Sequence, residues 1–281
     1  MIDPFQLPPQ RLDVTIAAYI VLVFVAGYAV HWFRRAFREP SPTGPTPSVT
    51  IPGDRIKYYD VVERLFHWTD FIVLSLMVLT GTAIFFPGLL NGLLAPFGVV
   101  GTTAEISLHL DLVWALLGLI IIHVVWDTVV ARGFWNISPG VKDIRDAAKR
   151  AKNFVGASNE YPRMAKYDPF MKIFHWGLTL SLVVLGVTGL YFWNPFNLMP
   201  NLGYQTESLF RVLHDIFAFL LVGLIIGHIY FAVIPENWPI LRAMVTGTMS
   251  KDFYLKHYDP ARWRAKQSTG LIRKELADGG D

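Results

Sequence analysis

The 281-residue sequence contains no cysteine, and this absence excludes several kinds of site. Without thiolates the chain cannot by itself ligate an iron–sulfur cluster, attach a c-type haem covalently or form a disulfide. Charged residues are also scarce, at 17% of the chain against 53% hydrophobic residues. Because a soluble domain carries about 25% charged residues, the composition favours an integral membrane protein.

Five apolar segments are long enough to cross a bilayer, which requires about 20 residues in a helix. They are Val14–Phe33, Leu65–Pro87, Leu108–Val130, Ile173–Trp193 and Val212–Ile234. Together they leave no room for a separate soluble domain. The first segment starts late for a signal peptide and ends in two arginines, so we predict that it is a retained helix.

The basic residues are concentrated in three connecting segments. Of the 25 Lys and Arg residues, 23 lie in residues 34–64, in residues 132–172 or beyond residue 241. Five alternating spans bring these three segments to one face, and the positive-inside rule makes that face cytoplasmic. We therefore expect the N-terminus outside and the C-terminus inside. Topology accounts for the basic segments, and we expect no nucleic-acid partner.

Six of the eight histidines follow a duplicated frame, which indicates an internal repeat. Two pairs of histidines are each fourteen positions apart, so both rings of a pair lie on one helix face about 21 Å apart. Upstream of each pair is a His-Trp motif, followed by an apolar run that ends in Thr-Gly. The matching elements are Arg64-Leu-Phe-His67-Trp68, Thr80-Gly81, His109 and His123 in one half, and Lys172-Ile-Phe-His175-Trp176, Thr188-Gly189, His214 and His228 in the other. The sequence predicts two-helix repeats at 57–130 and 166–234.

The predicted topology sorts these six histidines into two depths. His109 and His214 form an outer layer, and the inner layer contains His67, His123, His175 and His228. Two imidazoles from different helices at one depth can supply both axial ligands of a low-spin b-type haem. Two such haems about 20 Å apart would bridge the ~30 Å hydrocarbon core.

A haem site of this kind needs support around its ligands. We expect Thr, Ser or backbone carbonyl groups to satisfy the second nitrogen of each imidazole. Glycines on the same helices would let a flat macrocycle approach the backbone; they are Gly81, Gly118, Gly189, Gly223 and Gly227.

Two other uses of buried histidines and acids are weaker explanations of the pattern. Structural histidines, hydrogen-bonded between helices, would not require a duplicated frame. Proton or metal-ion transport would require acidic residues at one depth in both repeats, and the four in the spans do not recur in this way. A di-iron carboxylate centre would require Glu-x-x-His motifs, which the sequence lacks.

The connecting segments are expected to be polar and simple. Residues 39–56 include five prolines, and we predict an extended linker without a core. It joins residues 1–38, an N-terminal outer tail and an added transmembrane helix, to the bundle (57–247). Residues 132–172 carry mixed charges typical of a solvated surface helix. Residues 248–281 form a polar cytoplasmic tail.

The motif from Arg64 to Trp68, the pair His214 and His228, and the tail from Arg242 to Gly247 with His257 and Trp263 resemble a known family. It is the cytochrome b (gamma) subunit of membrane-bound respiratory formate dehydrogenases, and the resemblance covers about residues 58–263. The related cytochrome b subunit of nickel–iron hydrogenases shares the four-helix core. The resemblance implies an outer haem on His109 and His214, an inner haem on His67 and His228, and a quinone site beside the inner haem.

This sequence departs from that family at several positions. Asp168 stands where the family has Asn near the quinone, and His123 and His175 stand where the family has apolar residues. These two histidines could ligate a third haem, or serve the quinone or a haem propionate. Polar groups are needed to protonate a reduced quinone, and the candidates for this pocket are Lys166, Tyr167, Asp168 and Lys172.

These observations predict an all-α integral membrane protein: a four-helix cytochrome b bundle of two repeats with one added N-terminal transmembrane helix. In the inner membrane of a bacterium or archaeon it would carry electrons from an iron–sulfur subunit through two or three b haems to quinone. The dehydrogenase chemistry would belong to a catalytic partner subunit. The alternatives are a hydrogenase-type cytochrome b subunit and a stand-alone reductase of the cytochrome b561 kind.

Overall fold

The computed structural model describes residues 9–37, 40–49, 51, 53–131, 133–194, 197, 199–264 and 266–267. The described residues form ten α-helices and five short strands. The helices are α1 (Pro9–Phe37), α2 (Val61–Phe85), α3 (Asn91–Leu94), α4 (Thr102–Val125), α5 (Phe134–Ile137), α6 (Val141–Phe154), α7 (Pro169–Trp193), α8 (Tyr204–Val233), α9 (Trp238–Thr246) and α10 (Lys251–His257). The strands are β1 (Ser41–Pro42), β2 (Arg55–Lys57), β3 (Glu160–Tyr161), β4 (Thr248–Ser250) and β5 (Lys266–Gln267). The predicted outer tail up to residue 8 and the tail beyond residue 267 lie outside the described residues.

Five of these helices are long and apolar enough to cross a membrane, as the sequence predicted. They are Val14–Phe37 within α1, Val61–Phe85, Thr102–Val130, Pro169–Trp193 and Tyr204–Val233. The third consists of α4 and one π-helical turn, Trp126–Val130. The prediction of an all-α protein with five spans is confirmed, and all five helices begin several residues earlier than the apolar runs do.

The chain divides into two compact units. The α7–α8 unit comprises Met1–Thr43, Pro139–Pro162 and Asp168–Phe231, and the α2–α4 unit comprises Gly44–Ser138, Arg163–Tyr167 and Ala232–Asp281. Each unit holds one of the two predicted repeats. In addition, α1 and α6 belong to the α7–α8 unit, and α9 and α10 belong to the α2–α4 unit.

The first helix of each repeat begins after an aspartate, Asp60 in one repeat and Asp168 in the other. Asp60 accepts a hydrogen bond from the backbone N–H of Glu63 (2.8 Å), and the Glu63 carboxylate accepts one from the N–H of Asp60 (2.8 Å). In the second repeat Asp168 accepts from the N–H of Phe170 (2.8 Å), with Pro169 at the first helical position. Such caps satisfy N–H groups that have no partner within the helix.

The end of the predicted linker is part of a small core in the α2–α4 unit. Strand β2 pairs antiparallel with both β4 and β5. Alternation along β2 turns Ile56 inward, where it is fully buried (0% exposed) in the cluster that contains Met249, Tyr254 and Tyr258. In the other unit β1 pairs in parallel with β3. The linker is therefore anchored at both ends, and the expectation that it lacks a core was wrong for Ile56.

Helix α1 packs on the glycines of α8. A Cβ atom at Gly223 would overlap the ring of Phe24, and one at Gly227 would overlap the phenol of Tyr28. The Tyr28 hydroxyl donates to the backbone carbonyl of Gly223 (3.1 Å). The expectation that Gly223 and Gly227 provide space for a macrocycle was wrong, because aromatic side chains of the added helix fill that space.

Candidate functional site

In the α2–α4 unit, the outer-layer histidine is held by a threonine of the neighbouring helix. The Thr80 hydroxyl lies 2.8 Å from Nδ1 of His109. The same hydroxyl is also within hydrogen-bond distance of the backbone carbonyls of Leu76 (3.0 Å) and Met77 (3.1 Å) in its own helix. A hydroxyl has one hydrogen, and it goes to a carbonyl, which can only accept. His109 must then donate its Nδ1–H to Thr80, so Nε2 carries the lone pair.

The α7–α8 unit repeats this arrangement around His214. The Thr188 hydroxyl lies 2.8 Å from Nδ1 of His214 and donates to the backbone carbonyl of Val184 (2.7 Å). Nδ1 of His214 is therefore also the protonated nitrogen, and Nε2 carries the lone pair. The expectation that threonines satisfy the second imidazole nitrogen is confirmed for both outer-layer histidines.

A glycine lies beside each of these two imidazoles. A Cβ atom at Gly81 would be 3.5 Å from Cε1 of His109, and one at Gly189 would be 3.4 Å from Cε1 of His214. Because glycine has no side chain, neither residue covers the surface next to its imidazole. Among the described residues, nothing lies within 4 Å of the corresponding position at Gly118. A fixed imidazole with an unprotonated Nε2 is the donor that haem iron takes, so these residues fit an axial ligand set.

The inner-layer histidines at equivalent positions of the two repeats each stack on a phenylalanine. The ring of His123 stacks on Phe66, with centroids 5.0 Å apart, and the ring of His228 stacks on Phe174, with centroids 4.7 Å apart. In each repeat that phenylalanine directly precedes the histidine of the His-Trp motif. The duplicated sequence frame therefore corresponds to a duplicated packing arrangement within each unit.

One inner-layer histidine also contacts a carboxylate. Nδ1 of His123 lies 3.3 Å from Oδ2 of Asp70 on α2. The equivalent position in the second repeat is Leu178, so His228 has no such carboxylate on the matching turn of α7. A carboxylate that holds Nδ1 of a histidine is a common support for a metal ligand. Asp70 makes the inner layers of the two repeats chemically different.

The remaining inner-layer histidines lie near the cytoplasmic ends of α2 and α7 predicted from the charges. His67 packs edge-on against Trp68 (5.1 Å between centroids), and His175 packs edge-on against Trp176 (6.5 Å). The Thr179 hydroxyl donates to the backbone carbonyl of His175 (2.9 Å). His31, outside the repeat, lies with its Nδ1 2.9 Å from the Tyr230 hydroxyl.

The His-Trp motif of α2 is tied to the tail motif, which forms the end of α9. The Arg64 guanidinium donates to the backbone carbonyl of Val245, and the Trp68 indole donates to that of Met244 (3.3 Å). Gly247 ends α9 with φ +82°, and a Cβ there would be 3.0 Å from the backbone oxygen of Tyr59. These contacts explain why the two motifs occur together: the tail fastens the turn of α2 that carries His67.

Among the four quinone candidates, Lys166 and Tyr167 belong to the α2–α4 unit. Lys166 forms an ion pair with Glu63, and its ammonium group lies over the rings of Tyr59 (5.5 Å) and Tyr167 (5.3 Å). Burial raises the pKa of Tyr167 well above its usual range, and Tyr59 and Glu63 raise this pKa further. The phenol of Tyr167 therefore stays protonated at neutral pH.

The other two quinone candidates belong to the α7–α8 unit and take part in ion pairs with α6. Asp168 pairs with Arg150 and also caps α7. Lys172 pairs with Asp143 at 2.9 Å, and both side chains are at least nine-tenths buried. A ligand could reach Asp168 or Lys172 only by opening one of these pairs.

Sequence reasoning gave no role to three residues that the structure brings to the site. In the sequence analysis, Thr80 and Thr188 only mark the ends of apolar runs. They are as far apart in the sequence as the two histidines of the His-Trp motifs, and this equal spacing could have identified them. Asp70 was noted as an acidic residue in a span. Its contact with His123 depends on how α2 and α4 pack, which the sequence pattern does not give.

Known proteins resemble this chain across the region that contains the site. Residues 58–247 match the family model described as prokaryotic cytochrome b561. The cytochrome b556(Fdn) subunit of the nitrate-inducible formate dehydrogenase of Escherichia coli strain K12 is 25% identical over 218 residues, which cover 78% of this chain and 94% of the relative. The cytochrome b556(fdo) subunit of formate dehydrogenase from the same strain is 24% identical over 213 residues, which cover 75% of this chain and 92% of the relative. The chain is a membrane cytochrome b and belongs to the prokaryotic cytochrome b561 family.

Proposed function

We propose that this chain is the membrane subunit of a respiratory dehydrogenase complex and carries electrons through b-type haems to quinone. The observation that supports this most strongly is the Thr–His pair, present once in each unit with Nε2 as the lone-pair nitrogen. A bound haem b would supply one-electron transfer. Histidine side chains of the two repeats would hold it.

The proposed ligands follow the two layers of histidines. His109 and His214 would ligate the outer haem, and His67 and His228 the inner haem. The duplicated threonine contacts support the first pair, and the stacking of Phe174 on His228 supports a fixed ring in the second.

The proposed partners are an iron–sulfur subunit and a catalytic dehydrogenase subunit. Two relatives are named as subunits of formate dehydrogenase, which supports membership of a multi-subunit complex. The sequence has no cysteine, so any iron–sulfur cluster that donates electrons must be held by another chain. Hydrogen remains an alternative electron source, through a hydrogenase-type complex.

The proposed quinone pocket is centred on Lys166 and Tyr167. Lys166 and its partner Glu63 are partly exposed, at 13% and 24% of their side chains, so solvent protons can reach them. Tyr167 is a neutral donor next to that pair. Asp168 and Lys172 remain candidates for the rim of the pocket. Either one could contact quinone only if its ion pair with α6 opened.

The proposed location is the inner membrane, with the N-terminus outside and the C-terminus in the cytoplasm. The segregation of 23 of 25 basic residues to one set of segments supports this orientation. A reporter enzyme that works only in the cytoplasm should be active when it is fused after Asp281. If instead a reporter that works only on the outer side is active there, the orientation of both haems is reversed.

A stand-alone reductase is the second candidate, and the family description as cytochrome b561 favours it. Purification from membranes separates the two. A respiratory subunit should co-purify with an iron–sulfur chain and reduce quinone only when the dehydrogenase substrate is present. A chain that is isolated alone and is reduced directly by ascorbate would support the reductase.

Haem ligation is tested by absorption spectroscopy of the purified protein. The wild-type chain should show a low-spin b-type spectrum, and H109A and H214A should each lose the same fraction of haem. H31Q is a matched control, because His31 lies outside the repeat. A normal haem content in H214A would contradict the proposed ligand set.

A further inference from the structure

Helix α6 has an unusual distribution of side chains. Its buried face is polar, since Asp143, Asp146 and Asn153 are at most 7% exposed. Asp143 pairs with Lys172, and Asn153 donates from its side chain to the backbone carbonyl of Ser158 (3.2 Å). The sequence predicted that charged residues of this helix face water, and for Asp143 and Asp146 the prediction was wrong, since both are buried and Asp143 pairs with Lys172 of α7.

Apart from Ala147 and Phe154, the apolar residues of α6 are on the opposite, exposed side. At 100° per residue, they form one stripe that continues into the residue after the helix. Val141 is 72% exposed, Ile144 69% and Val155 60%, and the alanines between them are exposed as well. The apolar stripe consists of Val141, Ile144, Ala148, Ala151 and Val155.

A row of basic side chains runs next to this apolar stripe. The basic row consists of Lys142, Arg145, Lys149 and Lys152, all exposed. On a helical wheel it lies between the apolar stripe and the buried polar face. An exposed apolar stripe flanked by Lys and Arg is the pattern of a helix that lies in the interface of an anionic membrane.

The contacts of α6 put it at the ends of the membrane spans of its own unit. Asp143 contacts Lys172 in the first turn of α7, and Arg150 contacts Asp168, which caps that helix. At the other end of α6, Phe154 stacks on His31 of α1 (4.9 Å between centroids). Phe154 also lies 6.0 Å from Phe231, near the end of α8, so the helix follows the level at which lipid headgroups begin.

An open cavity of about 360 Å³ lies where α6 meets the end of α1. It is lined by Phe33, Arg34, Phe37, Val155 and Gly156. Arg34 is 7% exposed, and the two phenylalanines are about 70% exposed, at 68% and 71%. A guanidinium suits a phosphate group, and exposed aromatic rings suit the upper part of an acyl chain.

We propose that α6 lies in the membrane interface and binds anionic phospholipid, with the apolar stripe among the acyl chains, the basic row at the headgroups and one lipid phosphate at Arg34. The charge of the basic row and its position at the span ends select a lipid surface. This inference does not depend on haem or quinone binding.

Lipid selectivity of the full chain in nanodiscs tests the proposal. The discs contain equal amounts of phosphatidylcholine and phosphatidylglycerol, and the lipids retained after mild detergent extraction are counted by mass spectrometry. Each basic side chain near an anionic surface contributes about fivefold to the preference for it. The triple variant K142Q/K149Q/K152Q should lose at least about fivefold of the phosphatidylglycerol enrichment, and R34Q should lose the most tightly retained lipid.

A matched control removes three positive charges from exposed sites in the α2–α4 unit, in K57Q/K256Q/R264Q. It should retain the enrichment. An equal decrease in the control, or none in the α6 variant, would overturn the proposal. Thermal unfolding of each variant identifies any that fail to fold, and the second measurement does not rely on a change in lipid preference.

The second measurement uses the lack of cysteine, which makes an introduced thiol the only one in the chain. A nitroxide at A148C should be more accessible to oxygen, which partitions into lipid, than to a water-soluble nickel reagent, and a nitroxide at K149C should show the reverse order. Greater access to nickel at A148C would overturn the proposal. Shielding of A148C from both reagents would overturn it as well, in favour of a protein partner on the apolar stripe.

Discussion

The hydroxyl of Thr80 lies 2.8 Å from Nδ1 of His109 and also donates to its own helix, so the histidine must be the donor in their contact. This single contact determines which imidazole nitrogen carries the lone pair. Thr188 and His214 repeat it in the other unit.

Replacing Thr80 or Thr188 by valine should lower the affinity for the outer haem, although its histidine ligand is still present. Valine keeps the shape but cannot accept the Nδ1 hydrogen, and loss of such a supporting contact lowers metal affinity by about 10–100-fold. T80S and T188S should restore affinity. T82V is the control on the same helix, because the Thr82 hydroxyl donates only to the backbone carbonyl of Val78 (2.7 Å). Equal haem retention in T80V and T82V, measured during dilution in detergent, would contradict this role.

Replacing Gly223 or Gly227 by alanine should displace α1 and leave the haem content unchanged. The added methyl group would overlap Phe24 or Tyr28, and overpacking of this kind costs about 1–3 kcal/mol. A decrease in thermal stability is therefore expected for G223A and G227A. In G186A the methyl group meets nothing within 4 Å among the described residues, so its stability should not change. Loss of haem in G227A with α1 still docked would restore the macrocycle interpretation.

Breaking the buried pair of Lys172 and Asp143 should be strongly destabilising. Removal of one partner leaves an uncompensated buried charge, which costs about 3–5 kcal/mol. K172A should therefore unfold at a much lower temperature than wild type. The double variant K172L/D143L should recover most of the stability, since two apolar groups can replace a buried pair at little cost. K256A, at an exposed position of α10, is the control for loss of a lysine.

The stability of the tyrosine cluster beside α2 should decrease above about pH 10, the ordinary tyrosine pKa. Burial raises the pKa of Tyr58, Tyr59 and Tyr167, so the folded chain holds these protons more tightly than the unfolded chain. The stabilisation is complete below that pH and is lost as pH rises toward the raised values. Thermal midpoints between pH 7 and 11 measure it.

A smaller alkaline loss is expected in Y58F, which removes one of these groups. Y204F is the control, because Tyr204 is 75% exposed. At every pH, Y58F also lacks two hydrogen bonds: the one that Tyr58 donates to the backbone carbonyl of Lys166 (2.7 Å) and the one that it accepts from the Tyr258 hydroxyl (3.1 Å). Any further difference between the two variants should be confined to alkaline pH. An alkaline decrease of the same size in both variants would show that the cluster does not hold its protons.

The sequence predicted the parts of this protein that depend on repetition and on apolar length. The five spans and the duplicated frame follow from spacing within single helices. A threonine partner for each outer histidine was expected as a residue type, but Thr80 and Thr188, which lie on neighbouring helices, were not identified. Contacts that depend on packing between helices could not be predicted. Two glycines of α8 were expected to lie against a haem. They contact α1 instead, because Phe24 and Tyr28 pack on them. The burial of Asp143 in α6 required Lys172 of α7 as a partner, which no local pattern shows.

The number of haems per chain decides the role of His123 and His175. The contact between Asp70 and His123 gives this histidine the support that metal ligands have, which favours a third haem, although the two histidines also suit the quinone or a propionate. Quantitative haem extraction should then give close to three haems per chain, falling to two in H123L and in H175L. D70N should weaken the same haem, while the outer pair keeps its spectrum. A stoichiometry of two that none of these substitutions changes would restrict His123 and His175 to roles beside the haems, because a ligand cannot be removed without loss of the group that it binds.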